Sequence, residues 1–229
     1  MNLDFLSPLL TDHAPPAESP MLSAARHSGA TVEVRDGWQI ATGFGDEAAA
    51  RLALAATVGF ADASPVPKTE LHGPSEQLFS HAGGLTLGWA SAHNGAWWCP
   101  LTPTRALVIG GQPQPSELDG LQSVDVTTQF CGLRIEGPYA RTLMSRFCAL
   151  DLRSEVAPPG ALRPGSVART PGLVIVEAQD RLLVLVGAAL AEYLWTVVSD
   201  AAGRLGGMPV GIDQVTGGPV TFAKAAGSA

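Results

Sequence analysis

Little in this sequence is basic, and nothing in it is strongly patterned by charge. Fourteen Lys and Arg stand against twenty-one Asp and Glu, a net charge of −7, and charged residues are only 15% of the 229. There is no basic run, no zinc-ligand spacing and no aromatic stripe interleaved with Lys or Arg, which excludes a phosphate-backbone partner such as nucleic acid. Cysteine is scarce. Cys99, Cys131 and Cys148 form neither a metal motif nor an even disulfide set, so a reducing, cytoplasmic setting is expected, with the thiols as small buried hydrophobes. The N-terminus lacks a basic region followed by an apolar one, and Asp4, Asp12 and Glu18 interrupt it, so no signal peptide is expected. No window reaches the roughly 18 apolar residues of a membrane span. The run 182–191 reads instead as a buried strand leading into a helix. Phosphate loops are missing too, because Gly110-Gly111 is followed by prolines and Gly217-Gly218 lies near the end. Ser64 with Asp62 and His72 or His93 is a nominal nucleophilic set, but no nucleophile elbow accompanies it.

What is abundant is apolar: 46% of the residues. Either the interior is extensive or a partner covers part of the surface. The chain is long enough for one large domain or two small ones in contact.

One pattern occurs twice, about sixty residues apart. Asp62-Ala63-Ser64 leads through Lys68–His72 into Gly73-Pro74 and a helical stretch, 75–80. Asp125-Val126-Thr127-Thr128 leads through Leu133–Glu136 into Gly137-Pro138 and a second helical stretch, 139–148. Each is an alternating strand, a Gly-Pro break and an amphipathic helix, which indicates a duplicated strand–helix unit. Asp62 and Ser64, matched by Asp125 and Thr127, read as turn residues that bond local N–H groups.

Around these units the punctuation is regular. Residues 1–30 hold four prolines and read as an extended arm with a helical turn at Met21–Arg26. Thr31–Arg35 and Trp38–Thr42 form a hairpin about Asp36-Gly37. Asp46 caps a helix over 47–58. A strand is expected around Leu85–Ala92, then a tight turn at His93-Asn94-Gly95, a strand at Ala96–Cys99 and another at Arg105–Ile109, with a helical turn at 115–118. Further strands are expected at Ser166–Arg169, Leu173–Ala178 and Arg181–Val186. A helix follows over Ala188–Leu205, stopped by Gly206-Gly207. The expected architecture is α+β, mainly antiparallel, with ferredoxin-like halves. It divides as arm 1–30, first subdomain 31–122, second subdomain 123–207 and Gly-rich tail 208–229.

Val58–Ser64 followed by Lys68–Pro74 resembles the opening of the folate-binding fold of the glycine-cleavage T-protein. Leu133–Pro138, Cys148–Leu152, Pro158-Pro159-Gly160 and the closing helix with Tyr193-Leu194-Trp195 resemble the gamma subunit of heterotetrameric sarcosine oxidase. The resemblance covers roughly residues 50–205, without the extra C-terminal barrel of the full T-protein. It implies an accessory, noncatalytic subunit of a flavin-dependent amine oxidase. The flavin would then lie in larger partner subunits, no cofactor in this chain, and self-association would follow when it is alone. The alternative is a stand-alone tetrahydrofolate-binding protein or an aminomethyltransferase-like one-carbon enzyme.

Two departures bear on that choice. Where the transferases carry an acidic pair after a Gly-Gly turn, this chain has His93–Pro100 without a carboxylate. Their Gly-Tyr-Thr-Gly-Glu element, whose Glu helps hold the pterin, compares with Arg169-Thr170-Pro171-Gly172-Leu173-Val174, and that Glu is absent here. The candidate cofactor-binding residues are Trp89, His93, Trp97, Trp98 and Arg169. Trp97 or Trp98 would stack on a ring and Arg169 would meet a carboxylate, against the plainer reading of one Trp in the core and one at a partner contact. Arg134, Arg141 and Arg146 read as solvated or interface charges, and no metal site is expected.

Overall fold

The computed structural model describes residues 15–80, 84–111, 113 and 118–215. Residues 1–14, the expected helical turn at 115–118 (except Leu118) and the tail beyond 215 lie outside them.

Asp36 and Gly37 both adopt positive φ (48° and 76°), the turn that joins β2 (Thr31–Arg35) to β3 (Trp38–Gly43). The short β1 (Ala17–Glu18) lies parallel to β3, completing a three-stranded sheet, and α1 (Leu22–His27) follows it. Asp46 caps α2 (Glu47–Ala56) by accepting the N–H groups of Ala48 and Ala49 at 2.8 and 3.2 Å.

The first repeated unit supplies β4 (Gly59–Asp62), β5 (Lys68–His72) and α3 (Ser75–Phe79). A hairpin of β6 (Ser91–His93) and β7 (Ala96–Thr102) then runs into β8 (Arg105–Ile109) and β9 (Gln122–Asp125). The second unit is β10 (Phe130–Glu136) with α4 (Ala140–Met144). β11 (Leu162–Val167), β12 (Thr170–Ala178), β13 (Arg181–Gly187), α5 (Ala191–Gly203) and β14 (Met208–Pro209) complete the order.

The units exchange strands. β4 pairs antiparallel with β10 in a six-stranded sheet of order β11-β12-β13-β10-β4-β14. β9 pairs antiparallel with β5 in a five-stranded sheet of order β6-β7-β8-β5-β9. Most pairings are antiparallel; β1 with β3 and β14 with β4 are parallel. The architecture is α+β, with no closed barrel among the described residues.

Alternation along the strands builds four layers. Phe60, Leu133, Ile135, Val174, Val176 and Val184 face α1, α4 and α5. On the other side, Ala61, Leu173, Ile175 and Leu183 meet Trp97, Cys99, Leu107 and Ile109 of the five-stranded sheet. Beyond that sheet, Leu71, Trp98, Ala106 and Val108 pack with Leu78 of α3. Gly137 shows why the Gly-Pro break needs its glycine: φ is +129°, and a Cβ would stand 2.6 Å from the Thr57 carbonyl oxygen.

Two expectations are corrected. Over 85–90 the chain turns, with Gly88 at φ 83°, and a strand forms only at β6. β11 starts four residues earlier than expected and carries Pro164, which an edge strand tolerates because its outward side needs no donor. In the stretch read as a Gly-rich tail, β14 pairs with β4, and Ile212 and Val215 are buried.

Candidate functional site

The β6–β7 hairpin turns at Asn94 and Gly95 (φ 48° and 75°) and brings two of the expected residues, His93 and Trp98, together. His93 and Trp98 meet edge to face with ring centroids 6.3 Å apart. Trp98 is 1% exposed, beneath α3. Trp97 points the opposite way, into the layer between the sheets, where its Nε1–H donates to Glu177 Oε1 at 2.9 Å. Trp89 and Arg169 stand at opposite ends of β11, roughly 20 Å apart at about 3.3 Å per residue. Trp89 bridges to Ala161. Arg169 is exposed, in the positive-φ turn between β11 and β12 rather than in a strand.

Two polar clusters lie in the interior. Glu177 is fully buried and holds Arg134, whose Nη2 donates to Oε1 at 2.8 Å and whose Nε lies 2.7 Å from Oε2. Arg181 Nε approaches the same Oε2 at 3.3 Å. Arg134 is therefore a core residue, 2% exposed, and not the solvated charge expected from sequence. Arg141 is half-buried, and its guanidinium donates to the carbonyls of Gln179, Leu152 and Ala157.

The second cluster joins all three sheets. Asp62 Oδ1 accepts the Ser64 N–H at 2.8 Å, and Oδ2 accepts the hydroxyl of Ser19. Burial pushes the Asp62 carboxyl above its ordinary range, against the opposing effect of these bonds. Lys68 is completely buried and donates to the carbonyls of Ser64 and Val66, each at 2.8 Å. Loss of hydration brings its ammonium down to about 8. Neither Glu177 nor Lys68 stood out in the sequence; the signal for Glu177 was a charged residue inside the apolar strand β12. Glu70, on β5, is held by Arg105 Nε at 2.7 Å and lies 2.8 Å from His72 Nε2, and Arg105 first of all keeps its carboxyl low. Among the described residues no group of three His, Cys, Asp or Glu is placed to hold a metal.

Between the sheets opens a cleft of about 270 Å³. Leu101 and Leu107 line it from one sheet; Phe130, Pro164, Pro171, Gly172, Leu173, Leu185 and Val186 line it from the other. The stretch Pro171-Gly172-Leu173 thus forms part of its wall, and Leu173 is 8% exposed. No titratable side chain belongs to the lining. Among the described residues no helix is long and apolar enough to cross a membrane.

No family model matches the sequence, and no curated protein matches it. Solved structures do match. Heterotetrameric sarcosine oxidase from Corynebacterium sp. U-96, in complex with pyrrole 2-carboxylate, contains a similar chain with a TM-score of 0.59 and 20% identity, over 69% of this chain and 92% of that one. Glycine cleavage system aminomethyltransferase T from Bartonella henselae is similar with a TM-score of 0.68 and 14% identity, over 87% of this chain and 60% of that one. At such identities the likeness is one of backbone, and the chain has a glycine-cleavage T-protein-like fold.

Proposed function

We propose that this chain is a noncatalytic, accessory subunit of a heteromeric flavin-dependent amine oxidase of the sarcosine-oxidase type. The observation that carries the reading is the apolar cleft wall at Pro171-Gly172-Leu173, within the stretch Arg169–Val174 that compares with the transferases' pterin-holding element and lacks its Glu. A buried pterin presents several N–H and C=O groups, each costing free energy unless hydrogen-bonded. The cleft supplies no side-chain partner for them, so its residues do not fit that group. The interior carboxylates are engaged elsewhere: Glu177 by Arg134, Arg181 and Trp97, and Asp62 by Ser19 and Ser64. The similar chain in a heterotetramer supports a subunit role.

The test is purification of the tagged chain from its native host with mass spectrometry and an absorbance scan. A stoichiometric larger subunit with a flavin spectrum is expected. A chain that purifies alone and colourless overturns the reading.

The second reading, a stand-alone tetrahydrofolate-binding or one-carbon protein, draws on the broad backbone match to the aminomethyltransferase. Calorimetric titration with tetrahydrofolate separates the two. Saturable heat favours the one-carbon reading, and its absence favours the accessory one.

A further inference from the structure

The loop before β6 and the loop before β11 meet at Arg163. Its Nη1 donates to the Gly88 carbonyl at 2.9 Å, and its Nη2 to that of Val156 at 2.9 Å. The Leu162 N–H also donates to Gly88, and the Ala90 N–H to Gly160. The guanidinium carbon lies 5.9 Å from the centre of the Trp89 ring. These contacts tie together the segments that carry three large apolar side chains, exposed by 48% at Leu87, 42% at Trp89 and 40% at Val156. A preorganised surface of this kind loses little conformational freedom on binding.

The charges around it are uneven. Asp151 and Glu155 are both engaged by Arg153. Arg163 spends its donors on backbone carbonyls and its face on an indole, and no carboxylate among the described residues pairs with it. In a chain of net charge −7, an apolar face built over such a cation complements a surface that brings an apolar side chain and an acid together. Trp and Arg are also the residues enriched where binding energy concentrates.

We propose that Leu87, Trp89, Val156 and Arg163 form the surface by which this chain docks on its larger flavoprotein subunit, and that the docking segment there presents a carboxylate beside an apolar side chain. This rests on the accessory-subunit reading above. The experiment is hydroxyl-radical footprinting of Trp89 in the isolated chain and in the complex purified from the native host, with pull-down of the flavoprotein by Leu87→Glu and Val156→Glu variants. Val34→Glu serves as the control, because Val34 is 58% exposed and lies on β2. Trp89 oxidation is expected to fall on complex formation, and each of the two loop variants to lose about tenfold or more in affinity. The control should keep its partner. A flavoprotein held equally by all three variants, with Trp89 oxidised as before, overturns the docking surface and leaves the accessory role standing. Absence of any flavoprotein subunit overturns both. Protection of Trp89 by self-association of the isolated chain, abolished by Leu87→Glu, would show a second copy on this face and also overturn the proposal.

Discussion

The hydroxyl of Ser64 accepts the backbone N–H of Gly132 at 3.1 Å. Its counterpart in the second unit does the same in return, as Thr127 Oγ1 accepts the N–H of Lys68 at 2.9 Å. Lys68 and Gly132 each stand five residues before their Gly-Pro break, so the two bonds are related by the internal duplication. The Ala63 and Val126 N–H groups reinforce the exchange, donating to the carbonyls of Gly132 and Lys68. Each unit thus closes the strand entry of the other.

Removing either hydroxyl leaves a buried N–H without its acceptor. Ser64→Ala and Thr127→Ala should each lower stability by about 1 to 2 kcal/mol, whereas Thr127→Ser should stay close to the parent. Urea unfolding checks this. Equal midpoints for all three variants would sink the reciprocal account.

The Glu177 cluster predicts a larger effect with a rescue. Glu177→Ala leaves two guanidinium groups facing the layer between the sheets, and should cost about 3 to 5 kcal/mol. Pairing Glu177→Leu with Arg134→Met removes the more deeply buried of the two guanidinium groups along with its partner and should recover part of that loss. Thermal unfolding of the single and double variants gives the comparison. Fluorescence of the wild type and Glu177→Ala reports whether Trp97 loses its environment.

Lys68 gives a pH dependence of defined sign. Its folded pKa is depressed from 10.5 to about 8, so between those values the unfolded chain binds more protons than the native one. Stability contributed at this site therefore rises with pH across that window, by up to about 3 kcal/mol. Lys68→Met should remove the slope. The group on Asp62 acts oppositely in acid: its folded pKa is raised, so the native carboxyl is favoured while protonated and the contribution is lost as pH climbs through that pKa. Denaturant midpoints of wild type and Lys68→Met across the alkaline window test the first claim, and Asp62→Asn tests the second.

Two glycines should respond unequally to alanine. Gly137→Ala places a Cβ against the Thr57 carbonyl at a φ that L-residues rarely adopt, and should cost more than about 1 kcal/mol. Gly187→Ala meets nothing within 4 Å and has no positive φ, so it should be nearly neutral. Matched melting temperatures for the pair would contradict the steric reading.

Signals carried by neighbouring residues were legible in the sequence. The Asp46 cap and the Asp36-Gly37 turn each work through groups within a few positions. Long-range matches were not. Glu177 finds Trp97 and Arg134 at separations of 80 and 43 residues, so a charged residue inside an apolar strand had no visible partner. Arg134 looked solvated for the same reason. Over 85–90 the apolar residues suggested a strand, but Gly88 turns the chain and leaves Leu87 and Trp89 facing outward. The opposed directions of Trp97 and Trp98 followed from strand periodicity alone. Which of them reached a carboxylate depended on a bulged strand far along the chain.

The exchange of β4 and β9 makes the molecule behave like a clasp rather than a pair of beads. A cut between β8 and β9 would give an N-terminal fragment with β4 but without the partner strand β10, and a C-terminal fragment with β9 but without β5. The N-terminal piece would carry the buried strand β4 without β10, and the C-terminal piece the buried strand β10 without β4. The two should stay largely unfolded when separate and assemble when mixed, so a signal from their reunion would report directly on how tightly the duplicated halves depend on each other.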